Sequence, residues 1–140
     1  MNGEMSRFIK AHQTNYQCAL SEIKNGKKVS HWMWYIFPQI KGLGRSSLSE
    51  YYGIKDLDEA KAYLADPILG KHLIEICDAL LSLKTNNATE VMGHPDDLKL
   101  RSSMTLFDEA SDHLDIFQSV LKKYYNGKKD ILTLKILGIK

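Results

Sequence analysis

The sequence predicts an all-α fold, a single compact domain over residues 1–140 with about seven or eight helices, several of them short. Three observations predict it. Apolar residues recur at three- and four-residue steps through most of the chain, as they do along one face of a helix. Capping residues and glycines divide the chain into segments of helical length. A sustained apolar-polar alternation, the pattern of a half-buried strand, is absent from the sequence.

The first two helices are predicted from an apolar stripe and a proline. The stripe predicts a helix over residues 6–25, which Gly26 ends. Ser30 is placed to cap a second, short helix over residues 31–37. That helix must end near Pro38, because proline has no amide hydrogen and disfavours helical geometry in the residue before it.

Residues 38–52 are rich in Gly and Ser and are predicted to be the least regular part of the chain. Asp56 and Glu59 have the spacing of a capping box, which predicts a helix over residues 57–65. Asp66 and Pro67 then open the most strongly predicted core helix, which reaches Lys84. The remaining predicted helices are a short one capped by Asn87 and ended by Gly93, one from His94 to Ala110, one around Ile116–Tyr124 closed by Gly127, and a last one capped by Asp130.

Composition argues against several classes of function. The formal charge of +2 is far from the concentrated basic field of a dedicated nucleic-acid binder. Lysine-rich stretches at 24–28 and 122–129 are predicted as solvated helix ends, with a phosphate-binding surface as the alternative. The N-terminus lacks the apolar centre of a secretory signal, and no window approaches the ~18 apolar residues of a membrane span. We therefore expect a cytoplasmic protein without a membrane partner, whose Cys18 and Cys77 are reduced.

An aromatic segment, residues 31–39, contains both tryptophans of the chain. Helical projection places His31, Trp34 and Tyr35 on one face, but the helix is apolar nearly all round, which predicts burial. One interpretation makes the aromatic residues core anchors. The other makes Trp34, Tyr35 and His31 the lining of a cleft, with stacking surfaces for a flat ligand such as a nucleobase and one titratable imidazole.

The loop that follows the aromatic segment runs from Gln39 to Ser47 and combines Gly42 and Gly44 with cationic and hydroxyl side chains, among them Arg45 and Ser46. Such a loop can present backbone amides and cations to an anion, or it can be an ordinary turn. Neither a Walker phosphate loop nor a dinucleotide fingerprint is present.

The segment 96–107 places small hydroxyls among apolar residues on a predicted helix. Ser and Thr are poor helix formers, so they either bond back to carbonyls one turn earlier, allowing close helix approach, or point into a pocket, as Ser103 would. Asp97 and Arg101 have the spacing of a helix-face ion pair, with a catalytic carboxylate as the alternative for Asp97. Lys99 is available to neutralise a ligand's charge.

Familiar catalytic motifs are missing. There is no G-x-S-x-G elbow for a hydrolase triad and no HExxH, and none of the five histidines pairs with another at metal-ligand spacing. We therefore predict neither a metal site nor a cofactor.

Three blocks, SHWMWYIFPQIKGLGRSS, EAKAYLADPILGKHL and DDLKLRSSMTLF, resemble the signature blocks of a mostly bacterial family, domain-of-unknown-function family eighteen-ten. The resemblance spans nearly the whole chain and implies a mainly helical single-domain fold. Some members are labelled calpastatin, a name that belongs to a disordered, repetitive inhibitor and does not fit a compact chain. The family implies no reaction and no catalytic residue.

The functional expectation is a pocket for a small polar or anionic, nucleotide-like molecule, with enzymatic activity left open. Trp34 would stack on the ligand, Arg45 or Lys99 would neutralise its charge, and His31 or Asp97 would act as acid-base group. The alternative is a protein-protein interaction module using the aromatic segment and the glycine loop, and weak nucleic-acid binding ranks third. The oligomeric state is not predicted. The residues expected to meet in the pocket are His31, Trp34, Gln39, Arg45, Ser46, Asp97, Lys99 and Ser103.

Overall fold

The structure, a computed structural model, describes residues 3–44, 46–112 and 114–139. This part of the chain holds nine α-helices and no strand beyond one isolated parallel bridge between Ile40 and Ile54, which confirms the all-α prediction. The helices are α1 (Gly3–Lys24), α2 (Met33–Ile36), α3 (Ser47–Tyr52), α4 (Leu57–Ala65), α5 (Leu69–Ser82), α6 (Ala88–Met92), α7 (Asp96–Ala110), α8 (Asp115–Tyr125) and α9 (Ile131–Leu137).

Helix α3 lies in the segment that the sequence predicts to be irregular, and it is the one short helix of the described chain that was not predicted. Its first turn is held by Ser46, whose Oγ accepts a hydrogen bond from the amide of Ser49 at 3.1 Å. A helix of six residues is too short to display apolar periodicity, which is why its sequence resembles a loop.

Helix α2 is shorter than predicted, and Ser30 does not cap it. Trp32 occupies the capping position without a side-chain hydrogen bond. Ser30 instead donates its hydroxyl hydrogen to the Glu22 carboxylate of α1 at 2.6 Å. Glu22 also accepts the amides of Val29 and Ser30 and the indole N–H of Trp32. Burial raises the pKa of Glu22, but these hydrogen bonds outweigh it and lower the pKa to about 2.

The other predicted caps are present. Asp56, Asn87 and Asp130 each accept the amide of the residue three positions on, at distances of 2.9 Å, 3.1 Å and 3.0 Å. Asp66 accepts the amides of Ile68 and Leu69 where α5 begins. These bonds satisfy amides that the helix itself leaves without a partner, so the helix boundaries follow from local chemistry.

The buried apolar residues form a hydrophobic cluster with α5 and α7 at its centre. Helix α7 packs against α4, α6, α8 and α9, and α5 packs against α1, α4 and α8. Most of α7 is buried, including its polar Ser103, Thr105 and Asp108. Side chains on different sides of α7 therefore face different neighbours. Within the described residues, no helix is long and apolar enough to cross a membrane.

The close approach of α4 and α5 depends on Gly70. A Cβ at this position would lie 2.1 Å from the carbonyl oxygen of Leu64. Replacing a glycine inside a helix by alanine ordinarily stabilises it by about 0.5–1 kcal/mol, but here the overlap must move backbone. We expect Gly70→Ala to lower the free energy of unfolding by about 1–3 kcal/mol in urea denaturation, and the exposed neighbour Lys71→Ala to change it little. A Gly70→Ala protein as stable as the wild type would contradict the packing.

Candidate functional site

The α7 residues that are predicted to share one pocket lie on different sides of that helix. The Lys99 ammonium lies over the ring of Trp34, 5.6 Å from the ring centroid, on the side of α2. Asp97 is bonded to Thr89 of α6 instead. Residues two positions apart on a helix do not share a face, so Asp97 and Lys99 cannot line the same small pocket.

Trp34, Gln39 and Lys99 do come together, in an aromatic cleft that Gly44, Tyr52 and Gly53 also line. The cleft has a volume of about 10 Å³. This is room for about one water molecule. The stacking of a nucleobase on Trp34 would therefore require the cleft to open.

The other predicted residues that the structure describes do not line the cleft. Ser46 caps α3. Ser103 is fully buried and its Oγ has no hydrogen-bonding partner among the described residues. His31 is exposed, and its carbonyl accepts the Tyr35 hydroxyl at 3.4 Å. Arg45 lies outside the described residues.

The hydroxyls around Ser103 behave as helix-packing groups. Ser102 donates to the carbonyl of Leu98 at 3.2 Å, and Thr105 donates to that of Arg101 at 2.9 Å. Each bonds back by one turn, as the packing interpretation expects.

Asp97 is the centre of a polar cluster at the start of α7. Its Oδ1 accepts the Leu98 amide at 2.9 Å and lies 3.0 Å from Nδ1 of His94, and its Oδ2 accepts the Thr89 hydroxyl at 2.5 Å. The partner expected from spacing, Arg101, binds the carbonyls of residues 128 and 129 instead. The Asp97 carboxylate is therefore held on both oxygens.

The His94–Asp97 pair has the arrangement of a base and its orienting carboxylate. An ionised carboxylate can only accept, so Nδ1 of His94 carries the hydrogen and Nε2 presents its lone pair. The His94 side chain is 64% exposed, whereas that of Asp97 is 12% exposed. The carboxylate is thus shielded while the imidazole faces solvent, which leaves Nε2 free to take a proton.

A groove of about 600 Å³ opens beside Asp97, and we call it the amide groove. Its volume lies within the ~300–1,000 Å³ range of ligand sites. The residues lining it include Asn86, Asn87, Thr89, Asp97, Leu98 and Tyr125.

The side-chain oxygens of the two asparagines in the amide groove accept hydrogen bonds from other groups of the protein. Oδ1 of Asn86 accepts the ammonium of Lys123 at 3.1 Å, and Oδ1 of Asn87 accepts the amide of Glu90. Their NH₂ groups have no partner in the part of the chain that the structure describes, so the groove offers hydrogen-bond donors.

A second histidine cluster joins α1 to α5 and is absent from the predicted site. Nδ1 of His12 lies 2.9 Å from Nδ1 of His72, and the two rings are parallel within 1° with centroids 5.2 Å apart, so the bond runs in the ring planes. Nε2 of His12 lies 2.9 Å from the carbonyl oxygen of Tyr35 and 3.2 Å from the hydroxyl of Tyr63.

These contacts determine which nitrogens carry hydrogen. The carbonyl of Tyr35 can only accept, so Nε2 of His12 is the donor. Burial lowers the pKa of His12 from 6.5 to about 4, against the opposing effect of the Tyr35 carbonyl, so the ring is neutral at pH 7 and its Nδ1 accepts. His72 therefore donates from Nδ1 and holds its Nε2 lone pair away from His12.

A sequence signal for this cluster does exist. His12 and Tyr16 both lie on the predicted apolar stripe of α1, where a histidine needs a buried partner. The partner, His72, is 60 positions away, so periodicity cannot identify it.

The fold and the two clusters define an all-α protein in which His94 and His72 each have their Nδ1 bonded to an inner side chain, Asp97 or His12. Comparison with known families then identifies the family: residues 2–137 match the one described as Protein of unknown function (DUF1810), and the chain belongs to it. This confirms the resemblance stated above. The chain is also similar to the crystal structure of the conserved hypothetical protein Rv1873 from Mycobacterium tuberculosis, with 41% identity, a TM-score of 0.96 and 100% of each chain covered. No curated protein matches the chain.

The buried His12 makes stability depend on pH. The unfolded chain binds a proton at this residue near pH 6.5, whereas the folded chain binds it only near pH 4, so stability falls as the pH falls through this window. We expect His12 to lower the free energy of unfolding by about 2 kcal/mol between pH 7 and pH 5. Urea denaturation at several pH values measures the slope.

Two variants separate His12 from other groups in that experiment. His12→Phe, which keeps a ring of similar size, should flatten the slope. His31→Ala, which changes an exposed histidine, should retain it. A wild-type protein equally stable at pH 7 and pH 5 would contradict the neutral, buried imidazole.

Proposed function

We propose that this protein binds a small polar or anionic molecule in the amide groove and acts on it by acid-base catalysis through His94. The observation that carries the proposal is the 3.0 Å contact between Nδ1 of His94 and the shielded carboxylate of Asp97, which itself lines the groove. A histidine held in this way beside a groove of ligand size is a standard general base. Asp97 was predicted from the sequence and remains in the proposed site, whereas His94 takes the place of His31 as the acid-base histidine.

The chemistry follows from the fixed tautomer. Nε2 of His94 accepts a proton from a hydroxyl of the ligand, or from a water molecule that attacks it, and the ring becomes an imidazolium. Asp97 stabilises that positive charge through the Nδ1 hydrogen bond. Thr89 and the Leu98 amide hold the carboxylate in place, so they act as positioning groups. Asp97 itself keeps its charge throughout the step.

The groove favours a ligand with oxygen acceptors. The NH₂ groups of Asn86 and Asn87 are donors, and the Lys123 ammonium, bonded to Asn86, adds a positive charge nearby. Carbonyl, carboxylate and phosphate oxygens are the groups that such donors recognise. Leu98, which is 51% exposed, adds an apolar contact. A small oxyanion that also carries a hydroxyl meets all of these groups.

The two alternative functions receive less support. The aromatic segment belongs to the core, since Trp32, Met33, Ile36 and Phe37 are almost completely buried, and such a segment offers little surface to a protein partner. The basic stretches are partly neutralised, because Lys28 pairs with Asp96 and Lys129 pairs with acids of α7. We place the proposed activity in the cytoplasm, in keeping with the two free cysteines.

The test begins with a ligand screen. Hydroxylated carboxylates and phosphorylated metabolites are tested for a rise in melting temperature and then for turnover by NMR. For a compound that binds, we expect Asp97→Asn to lower turnover by about 10²–10⁴-fold, because the amide no longer stabilises the imidazolium. His94→Ala should have an effect of the same size.

The matched control is Asp96→Asn. Asp96 is the adjacent acid of α7, but it pairs with Lys28 and Lys99 and has no contact with His94. Its replacement should leave turnover within about threefold of the wild type, since it leaves the base intact. If the screen finds no ligand, or if Asp97→Asn and Asp96→Asn behave alike, the proposed function is wrong.

A further inference from the structure

We propose that His72 and Glu75 bind a divalent transition-metal ion, such as Zn²⁺, at the edge of the contact between α5 and α1. The two residues are one helical turn apart, so their side chains project from the same face. His72 is half-buried and Glu75 is exposed. The site shares no residue with the amide groove and is independent of the proposed function.

The first support is the orientation of His72. A histidine that binds a metal through one nitrogen usually donates the hydrogen of the other to an acceptor inside the protein. His72 already has that arrangement, because its Nδ1 lies 2.9 Å from Nδ1 of His12, whose other ring nitrogen donates to the Tyr35 carbonyl. Its Nε2 therefore carries the lone pair that a metal requires, and the ring cannot flip without breaking the bond.

The second support is Tyr16, which holds both ligands. Its ring stacks on His72 with centroids 3.6 Å apart and planes within 3°. Its hydroxyl donates to Oε1 of Glu75 at 2.5 Å. Among the described residues, the other carboxylate oxygen, Oε2, has no hydrogen-bonding partner. The buried side chain of Tyr16 thus positions both ligands.

The donor set identifies the class of metal. Imidazole nitrogen with one carboxylate oxygen suits Zn²⁺, Ni²⁺ or Cu²⁺, whereas Mg²⁺ prefers oxygen ligands alone. Within residues 3–44, 46–112 and 114–139, no three His, Cys, Asp or Glu side chains form a metal-binding group. The protein therefore supplies two ligands, and water completes the coordination, which makes the binding exchangeable.

The experiment is a titration of the full chain with Zn²⁺, in which calorimetry measures binding and thermal denaturation measures the melting temperature. We expect one bound ion and a rise in melting temperature of about 3 °C or more when Zn²⁺ is tenfold above its dissociation constant. His72→Ala and Glu75→Gln should each abolish the rise, and Glu75→Gln changes only an exposed side chain. His31→Ala and His94→Ala, which remove exposed histidines elsewhere, should retain it.

Three further measurements separate a built site from adventitious binding. Tyr16→Phe keeps the stacked ring but removes the hydroxyl from Glu75, and it should weaken Zn²⁺ binding by about tenfold. Mg²⁺ should produce no rise. In NMR spectra, Zn²⁺ should shift the ring signals of His72 more than those of His31. The proposal is overturned if Zn²⁺ does not bind, if His72→Ala binds as well as the wild type, or if Mg²⁺ is equally effective.

Discussion

The buried imidazole of His12 is the constraint on which much of this structure depends. It lies on α1 and contacts α2 through the Tyr35 carbonyl, α4 through the Tyr63 hydroxyl and α5 through His72. A buried ring nitrogen without a partner would cost free energy, so both nitrogens must be satisfied, and this requirement sets the relative positions of four helices. The ring must also stay neutral, since burial disfavours its charged form and no acidic side chain among the described residues is in contact with it. The tautomer of His72 follows from that neutrality.

The protein thus orients two outward-facing histidines by two different inner partners. Asp97 behind His94 is a charged carboxylate that accepts the Nδ1 hydrogen, which leaves the Nε2 lone pair of His94 facing solvent, as the proposed base requires. His12 behind His72 is a neutral acceptor and offers no such charge. Burial lowers the pKa of His72. Its Nδ1 is engaged by His12, which leaves Nε2 as the nitrogen available to a metal. The same hydrogen-bond geometry therefore suits a proton acceptor in one place and a metal ligand in the other.

Local chemistry explains which parts of the fold could be predicted from the sequence. The caps at Asp56, Asn87 and Asp130 act over three residues, so their spacing is visible in the sequence, and their hydrogen bonds are present. The cap expected at Ser30 is wrong because a distant carboxylate, Glu22, competes for its hydroxyl. Helix α3 is missing from the predicted helices because it depends on a cap and not on periodicity. Each error arises where a tertiary contact or a very short element replaces the repeating pattern.

The candidate site was harder to predict for a related reason. His94 and Asp97 are three positions apart, so the spacing of the acid and the histidine makes their pairing visible in the sequence. The pairing of His12 with His72 is not visible there, because nothing in either segment specifies the other. Trp34 and Lys99 do meet, but helix packing closes the space between them to about 10 Å³.

The burial of α7 decides how these groups can be used. Its sides face different surroundings, so Lys99 lies against Trp34, Ser103 lies in the core and Asp97 lies at the groove. The aromatic segment fills the core and stabilises the fold, which leaves little of its ring surface for a ligand. Polar groups at the ends of the packed helices remain accessible, and they are held by neighbours that the core keeps rigid. Chemistry in this fold is therefore expected at the rim, where His94 and His72 reach solvent, and not at the concentration of aromatic residues that dominates the sequence.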